Sequence, residues 1–583
     1  MALEEQSKEK IKNGLGIARM LADHGVKHVF GIPDGHTLEF YDGLLNTEGI
    51  EHVLFNDERT AGFAADAYAR VTGTLGVCDA GSAGAMNFPV ALAEAKGASS
   101  PVLAIVGMVK QQHVLLNIPH DINVVDTLKP VTKWVSMAFS SDHVPRFINY
   151  AIRQAINGRP GPTAVVIPED LFSAADNQAG DFISRSGGSA CSINGCKNGP
   201  AEGEVNFAIE MIRKSSQPVI LAGGGAIQSA AYPEVEKLAG MLGVPVFSTI
   251  TGKGIMMPKN DGNDVYLGTI GLFGEAPNNK FIRKATDLVI VVGSRLTEDD
   301  TAYFKFPPDR KDMIQIDIDP AEIGKYYHPW GVAGDAKIAL LMIIKGLQER
   351  GIIAGDEKAT IEHRAANIAE LREECVKYRE KDDAKWMNAE PIKPQRVLKA
   401  IATALDAGDY LVTDASSSAR WIGPYYPVKS IGRKIITPRG VGPTGFGLGA
   451  LIGTCIAMGT FDTRERNSRV VLFTGDGGLM NAGVSDFETI KKLGLNCTIV
   501  VINNAALGFV KFGQGLLQQG RYYETDRPST DFARIAEAFG GAGMRIEHLS
   551  DLDPSIHDAI TTEGFKLVDV IVDPKELLPQ NFY

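Results

Sequence analysis

Apolar residues occur in short runs that end at polar or glycine-rich positions. The runs 470–474 and 497–502 are rich in β-branched residues and are followed by Asp476 and Asn504. Such continuous apolar runs are typical of strands buried on both faces of a parallel sheet. Between them, the Ser-Asp-Phe-Glu sequence in 485–493 has capping-box spacing and predicts a helix. The pattern predicts a strand–helix–strand unit that places Asp476 and Asn504 at one edge of a sheet.

The N-terminal part repeats this pattern. Strands are predicted over 26–30 and 50–55, and the second is followed by Asn-Asp-Glu and then a helix over 60–70. Small residues along this helix permit close packing against a neighbouring element. Glu58 is therefore expected where a strand ends and a helix begins, at the edge of a sheet where binding sites form.

The middle and C-terminal parts contain further apolar runs. Strands are predicted over 218–222, before a glycine loop, and over 288–293 and 313–318. Another strand is predicted over 410–413. The run 446–458 is too short and too rich in glycine to span a membrane and predicts a buried helix.

Composition narrows the classes of function. The chain has 583 residues and a net charge of −11, without a long basic run, so we do not expect it to bind nucleic acid. No apolar run reaches the roughly 18 residues of a membrane span. The N-terminus is charged and lacks the apolar core of a signal peptide. The six cysteines are scattered, which predicts a reducing, cytoplasmic setting. Cys191 and Cys196 are predicted to be loop thiols and not metal ligands.

The predicted edge has the chemistry of a cation site. Neighbouring parallel strands lie about 4.8 Å apart, so Asp476 and Asn504 can hold one hard cation between them. Gly477 and Gly478 leave backbone N–H groups beside it. A carboxylate, an amide oxygen and a glycine nest suit Mg²⁺ bound to a pyrophosphate.

These motifs resemble a known signature. Gly475-Asp476-Gly477, followed by 25 residues and then Asn503-Asn504, is similar to the thiamin diphosphate (ThDP, or thiamine pyrophosphate) motif. Residues 56–70, 81–87 and 101–107 resemble the acetolactate synthase branch of ThDP enzymes, and the resemblance extends over essentially the whole chain.

The resemblance implies an α/β fold class with three doubly wound parallel-sheet domains. It places a pyrimidine-binding domain at 1–180, a central nucleotide-binding-like domain at 204–348 and a diphosphate-binding domain at 390–583. The segment 181–203 is rich in Gly, Ser and Asn, as in a flexible linker. The segment 349–389 is charged and helix-periodic and is predicted to be a solvated connector.

The resemblance also implies site residues. Glu58 faces N1′ of the cofactor's aminopyrimidine, and His36 and His120 are candidate catalytic residues that line the substrate pocket. Mg²⁺ is held by Asp476, Asn504 and the carbonyl of Ala506. The other implied cofactor contacts are Pro33, Gly35, Ser417, Ser418, Gly442, Thr444, Gly475, Gly477, Gly478, Leu507 and Gly508.

Two further expectations come from the family. Acetolactate synthases carry FAD in the central domain, and 293–295 and 317–325 resemble their sequence. Relatives without flavin keep such stretches as plain structure, so FAD remains an open alternative. In relatives two subunits hold one ThDP between them, which implies a homodimer or a homotetramer with the site at the subunit interface.

Three positions depart from the family pattern. Thr444 replaces the bulky apolar residue under the cofactor's bend, and Gly513 replaces a tryptophan that shapes the acceptor pocket. Val510 stands where decarboxylases place a glutamate. Without that acid to protonate the carbanion, attack on a second carbonyl is favoured.

Three functions are therefore considered. The first is decarboxylation of a 2-oxo acid such as pyruvate, followed by carboligation. The second is C–C cleavage by a ThDP lyase or hydrolase, or decarboxylation of another 2-oxo acid; the departures and the histidines His36 and His120 favour a different substrate, such as a 2-hydroxyketone or diketone. The third is a non-catalytic regulatory homologue that binds ThDP, which the presence of Glu58 argues against, because binding alone needs no proton relay.

Glu58 gives the first prediction. A carboxyl group that exchanges a proton with N1′ makes the imino tautomer accessible, and that tautomer removes the weakly acidic C2 proton of the thiazolium. We expect Glu58→Gln to reduce the turnover rate by roughly 10²–10⁴-fold while the protein still folds. Steady-state kinetics beside a circular dichroism spectrum test this, and near-normal turnover would contradict it.

Overall fold

Three six-stranded sheets, all parallel, organise the part of the chain that the structure describes. The structure is a computed structural model. It describes residues 8–183, 197–258, 264–305, 307, 311–351, 358–459, 468–576 and 578–579. Most of the predicted linker 181–203, including Cys191 and Cys196, lies outside the described residues.

The first sheet has the strand order β2-β1-β3-β4-β6-β5. Its strands are β1 (His28–Gly31), β2 (Glu51–Leu54), β3 (Gly76–Gly81), β4 (Val102–Met108), β5 (Trp134–Met137) and β6 (Thr163–Pro168). The helices of this part are α1 (Asn13–Asp23), α2 (Leu38–Leu45), α3 (Glu58–Thr72), α4 (Phe88–Gly97), α5 (Val124–Leu128), α6 (His143–Ile156) and α7 (Glu169–Ser173).

The second sheet has the order β12-β11-β10-β7-β8-β9. Its strands are β7 (Pro218–Ala222), β8 (Val246–Ser248), β9 (Tyr266–Thr269), β10 (Leu288–Val292), β11 (Asp312–Asp317) and β12 (Trp330–Ala333). The helices are α8 (Glu202–Lys214), α9 (Gly224–Gln228), α10 (Tyr232–Leu242), α11 (Ala276–Lys284), α12 (Ala336–Glu349) and α13 (Lys358–Trp386).

The third sheet has the order β14-β13-β15-β16-β18-β17, which repeats the topology of the first. Its strands are β13 (Tyr410–Thr413), β14 (Ile435–Ile436), β15 (Val470–Gly475), β16 (Cys497–Asn503), β17 (Ala542–Ile546) and β18 (Phe565–Ile571). The helices are α14 (Pro394–Ala404), α15 (Ser417–Tyr425), α16 (Phe446–Ala457), α17 (Asp476–Ala482), α18 (Phe487–Leu493), α19 (Gly508–Leu517), α20 (Phe532–Ala538) and α21 (Leu549–Thr561).

Both faces of each sheet are buried, as continuous apolar strands require. Along β4, Val102 and Ala104 belong to one core, while Leu103 and Ile105 belong to another on the opposite face. The first of these cores continues into the third sheet, where it includes Leu472. The predicted α/β class with three doubly wound parallel sheets is confirmed, and so are the strands predicted from the apolar runs.

Helices α3 and α16 carry this shared core. Both consist mainly of small or apolar buried residues. A Cβ atom added at Gly449 would lie 2.4 Å from the Thr60 carbonyl oxygen, and one at Gly453 would lie 2.2 Å from the Ala64 oxygen. Backbones approach this closely only where side chains are absent, so glycine is required at both positions. The close packing predicted from the small residues is confirmed.

Two predicted helix starts are wrong. Helix α3 begins at Glu58 and not at residue 60, because Asp57 is the N-cap and accepts a hydrogen bond from the Arg59 N–H. The capping box predicted in 485–493 does not form. Asp486 is the N-cap of α18 without a capping bond, and its carboxylate accepts the Asn56 N–H at 2.7 Å instead. The carboxylate thus links the first and third sheets.

The connector predicted over 349–389 is not simply solvated. Most of it is helix α13, and Ile368, Leu371 and Cys375 on one face of that helix are buried in a core beside the central sheet. The high charge of the segment concealed this apolar face, which packs against the second sheet. No helix in the described ranges combines the length and apolar character that crossing a membrane requires.

The contact between α3 and α16 gives a stability prediction. We expect Gly453→Ala to lower the unfolding free energy by about 1–3 kcal/mol, because the new methyl group would overlap backbone atoms of residue 64. Gly240→Ala in α10 is the matched control, since that Cβ meets no atom within 4 Å and alanine favours a helix. Thermal unfolding measures both. Equal melting temperatures for Gly453→Ala and the wild type would contradict the contact.

Candidate active site

The candidate site begins at the carboxyl edge of the third sheet. Strands β15 and β16 are hydrogen-bonded neighbours, with Gly475 opposite Ile502. Asp476 starts α17 directly after β15, and Asn504 follows β16 directly. The fold therefore brings the carboxylate and the amide together at one edge.

A cavity of about 480 Å³ lies at this edge. Its lining contains most of the cofactor and metal residues implied by the family resemblance. Those present are Ser417, Ser418, Thr444, Gly475, Asp476, Gly477, Gly478, Asn504, Ala506, Leu507 and Gly508. Val510 also contributes to the lining.

The two adjacent asparagines have different structural roles. Asn503 is buried, and its amide donates to the Thr530 carbonyl at 3.0 Å and to Asp569 at 2.9 Å. Asn504 lines the cavity, and its side-chain oxygen accepts the Ala506 N–H at 3.1 Å. Ala505 adopts the left-handed conformation, with φ of 50°. This turn directs only the second asparagine into the cavity.

The donor set at this edge fits a hard divalent cation. Burial raises the pKa of Asp476 to about 6, and the Gly477 N–H and the Arg527 guanidinium only partly oppose that rise. Arg527 lies 4.0 Å from the carboxylate. A cation beside Asp476 would stabilise the buried negative charge, and Asn504 and the Ala506 carbonyl supply further oxygens. The Ala506 carbonyl also accepts the Gly508 N–H, which leaves one lone pair for a metal.

Asp414 stabilises the backbone at this edge of the sheet, a role that the sequence did not reveal. Its carboxylate accepts the N–H groups of Ala415, Gly445 and Gly447 at 2.6, 2.9 and 3.1 Å. Burial raises its pKa to about 6, against the hydrogen bonds from these N–H groups. A Cβ at Gly478 would lie 3.0 Å from the Asp414 Cγ. Asp414 thus joins its own loop to the start of α16 and lies close to the first turn of α17.

The implied diphosphate contacts differ in their exposure and in whether their polar groups already have hydrogen-bond partners. The Ser418 hydroxyl lies 3.0 and 2.9 Å from the carbonyls of Asp414 and Ala415, so its proton is used within the loop. Ser417 starts α15 and is only partly buried. Thr444 is exposed, and its carbonyl accepts the Asn481 side chain at 2.5 Å.

Glu58 lies at the edge of the first sheet, as the first residue of α3. Its carboxylate accepts a hydrogen bond from the Asn87 amide at 2.9 Å. A Cβ at Gly84 would lie only 2.3 Å from the Glu58 Oε1 atom, so the loop after β3 leaves space for this carboxylate by using glycine. Asn87 is a second residue that the sequence did not single out.

His36 and His120 also lie at this edge. Their ring centroids are 5.1 Å apart, and Asp34 lies between them. The His36 Nδ1 atom is 2.7 Å from one Asp34 oxygen, and the His120 Nδ1 atom is 3.7 Å from the other. Pro33 and Gly35 are exposed on the same turn.

Within one chain the two edges do not share a cavity. Among the described residues, the lining of the 480 Å³ cavity includes none of Pro33, Gly35, His36, Glu58 or His120. Gly442 lies on a different cavity, beside the central sheet. Apart from Gly442, the structure therefore assembles the implied cofactor residues as two separate groups.

A buried carboxylate connects the first domain to the Gly442 loop. Glu94 accepts the N–H groups of Gly440, Val441 and Gly442 at 2.8, 2.8 and 3.0 Å. Arg70 donates to it at 3.0 Å. Burial opposes ionisation of Glu94, but Arg70 and the backbone donors outweigh burial and lower its pKa.

The cavity beside the central sheet has a volume of about 410 Å³. The N-terminus of α9 and the end of β11 contribute Gly224 and Asp317 to it, and Arg295 and Arg433 add positive charge. Burial lowers the pKa of Arg433 to about 10, and its guanidinium donates to the Gly224 carbonyl. A carboxylate at a strand end and buried cations are features of nucleotide sites in doubly wound domains.

Comparison with known proteins identifies the family. Residues 12–127 match the N-terminal TPP binding domain of thiamine pyrophosphate enzymes, residues 205–343 the central domain and residues 414–570 the C-terminal TPP binding domain.

The whole chain also has curated relatives. A "Probable acetolactate synthase large subunit" from Methanocaldococcus jannaschii is 31% identical over 582 residues, covering 98% of this chain and 93% of the relative. Isozyme 3 of the acetolactate synthase large subunit from Escherichia coli K12 is 29% identical, covering 96% and 94%. The chain belongs to the thiamine pyrophosphate-dependent enzymes, in the branch that contains the acetolactate synthase large subunits.

Proposed function

We propose that this enzyme decarboxylates a 2-oxo acid, pyruvate in the first instance, and transfers the remaining two-carbon unit to an acceptor carbonyl. The observation that carries the proposal is the cavity that gathers Asp476, Asn504 and Ala506 beside the Gly477–Gly478 turn. Relatives that align over nearly the full chain are named acetolactate synthases, which supports this reaction.

The proposed roles fall on residues at two sheet edges, that of the third sheet and that of the first. When bound, ThDP supplies a nucleophilic carbon and an electron sink for the substrate's carbonyl carbon. Asp476, Asn504 and the Ala506 carbonyl would hold Mg²⁺ and, through it, the diphosphate. Glu58, oriented by Asn87, would exchange a proton with the pyrimidine N1′ nitrogen.

We further propose that two copies of the chain complete each site. Glu58 and Asp476 are on different sheet edges, and in the described residues the cavity around Asp476 has no wall from the Glu58 edge. A two-fold pair of subunits would place one edge opposite the other and yield two equivalent sites. A homodimer is the minimal assembly, and a homotetramer would be a pair of such dimers.

The cavity favours ligation over simple decarboxylation. Val510 is half-exposed in its lining and has no proton to donate to the two-carbon unit. A second candidate is C–C cleavage of a 2-hydroxyketone or a diketone. It is favoured by Asp34, His36 and His120, a polar group at the edge where the substrate is expected.

The central cavity is proposed to bind an adenine nucleotide, with FAD as the specific candidate. Arg433 and Arg295 would face its phosphates, and Asp317 would accept a ribose hydroxyl, as carboxylates at strand ends do in related folds. A cavity of about 410 Å³ is within the range of ligand sites. An absorption spectrum of the purified protein tests this, because bound flavin absorbs visible light.

A product assay tests the reaction. We expect the enzyme with ThDP and Mg²⁺ to convert pyruvate into acetolactate, and Glu58→Gln to form far less product at equal ThDP occupancy. Cleavage of a 2-hydroxyketone, without any product from pyruvate, would contradict ligation and favour the second candidate. Saturable ThDP binding without turnover of either substrate would contradict catalysis altogether.

A further inference from the structure

The group Asp34, His36 and His120 has the composition of a transition-metal site. Each residue offers one ligand atom, and these atoms lie within 4.8 Å of one another. Two residues come from the turn after β1 and the third from the segment after β4, so the fold brings together parts of the chain that are far apart in sequence. Two imidazoles and one carboxylate form a common binding set for first-row transition metals.

The distances are close to those that a bound cation requires. Metal–ligand bonds of about 2.1 Å in a tetrahedral site separate the ligand atoms by about 3.4 Å. Here Asp34 Oδ1 is 2.7 Å from His36 Nδ1, and Asp34 Oδ2 is 3.7 Å from His120 Nδ1. One Asp34 oxygen and the two nitrogens already lie within 4.8 Å of one another, and small rotations of these partly exposed side chains would bring them to the required spacing. The hydrogen bond between His36 and Asp34 would then be exchanged for metal coordination.

His120 supplies the second observation. Its Nδ1 atom is inaccessible to solvent and makes no hydrogen bond to any residue that the structure describes. A buried polar atom without a partner is costly, so an unfilled coordination role explains its position. The backbone of His120 is held at φ of 69°, and its carbonyl accepts the Ser82 hydroxyl at 2.6 Å. The loop is thus fixed in a conformation that directs the ring towards Asp34.

We propose that Asp34, His36 and His120 bind one divalent transition-metal cation of the Zn²⁺ or Co²⁺ type. This site is distinct from the Mg²⁺ site of the proposed function, whose donors are all oxygens, because imidazole nitrogen selects softer metals. Three protein ligands leave a coordination position open.

The location suggests what the open position would take. A Cβ at Gly81 would lie 2.1 Å from the Asp34 Cγ, and one at Gly84 would lie 2.3 Å from a Glu58 oxygen. The short segment 81–84 therefore contacts both Asp34, one of the three proposed metal ligands, and Glu58. This step rests on the proposed function: a cation there would bind the paired oxygens of a 2-oxo acid or a vicinal diketone, and so select substrates that carry two adjacent oxygen functions.

Metal binding can be measured without activity. The protein, saturated with ThDP and Mg²⁺ and freed of other metals, is titrated with Zn²⁺ by calorimetry and with Co²⁺ by visible absorption. We expect one Zn²⁺ per chain and Co²⁺ bands of a site with nitrogen ligands. Asp34→Asn, His36→Gln and His120→Gln should each weaken binding by more than the roughly 10–100-fold that loss of an outer-shell partner costs.

His113→Gln is the matched control, because His113 lies in the same loop segment but outside the cluster, and it should bind Zn²⁺ like the wild type. Circular dichroism verifies that each variant is folded. Absence of stoichiometric Zn²⁺ and Co²⁺ binding by the wild type, or equal binding by the three cluster variants, would overturn the proposal. Turnover of pyruvate without Zn²⁺ or Co²⁺ binding would contradict the metal site and leave the proposed reaction intact. Metal binding without turnover of pyruvate would contradict the proposed reaction and leave the metal site intact.

Discussion

A parallel sheet presents the carboxyl ends of all its strands at one edge, and the candidate active site depends on this constraint. Asp476 and Asn504 are adjacent because β15 and β16 run in the same direction with a fixed register. The first sheet has the same strand topology, and its edge carries Glu58 and the histidine cluster. The edge of the third sheet gathers oxygen donors that fit a cation, and the edge of the first sheet gathers carboxylates and two imidazoles.

The relation between these edges depends on close backbone packing. Gly449 and Gly453 allow α16 to lie directly on the backbone of α3, the helix that Glu58 begins. Buried hydrogen bonds between the two domains supplement this apolar contact and fix its orientation. Glu94 holds the 440–442 backbone, and Asp486 holds the Asn56 N–H, so carboxylates on both sides fix the first domain against the third. Buried hydrogen bonds of this kind favour one arrangement of the two domains, because another arrangement would leave these buried carboxylates without their backbone donors.

The sequence predicted what depends on local pattern. Apolar runs located the strands, and the residues that follow them located both edges, because strand direction and chain order determine where Asp476 and Asn504 lie. Contacts between distant segments were not predictable in this way. Asp414 and Glu94 look like ordinary loop and helix acids, and only the fold shows that each accepts several backbone N–H groups. The apolar face of α13 was concealed by its many charges.

The sequence also could not show that neighbouring residues of one motif have different structural roles. Asn503 and Asn504 are indistinguishable in sequence, yet one binds Asp569 in the core and the other lines the cavity. Asp34 was not singled out in the sequence, because its place between two imidazoles arises only when the fold brings His120, after β4, next to the turn after β1.

In the proposed assembly, a complete site needs the Glu58 edge of one chain and the Asp476 edge of another. Co-expression of Glu58→Gln and Asp476→Asn chains tests it most directly, because a mixed dimer would contain one intact site and one doubly altered site. We predict that each variant alone is nearly inactive and that the mixture recovers about a quarter of wild-type turnover, as random pairing of two chains requires. Activity of the mixture no higher than that of the separate variants would contradict the account.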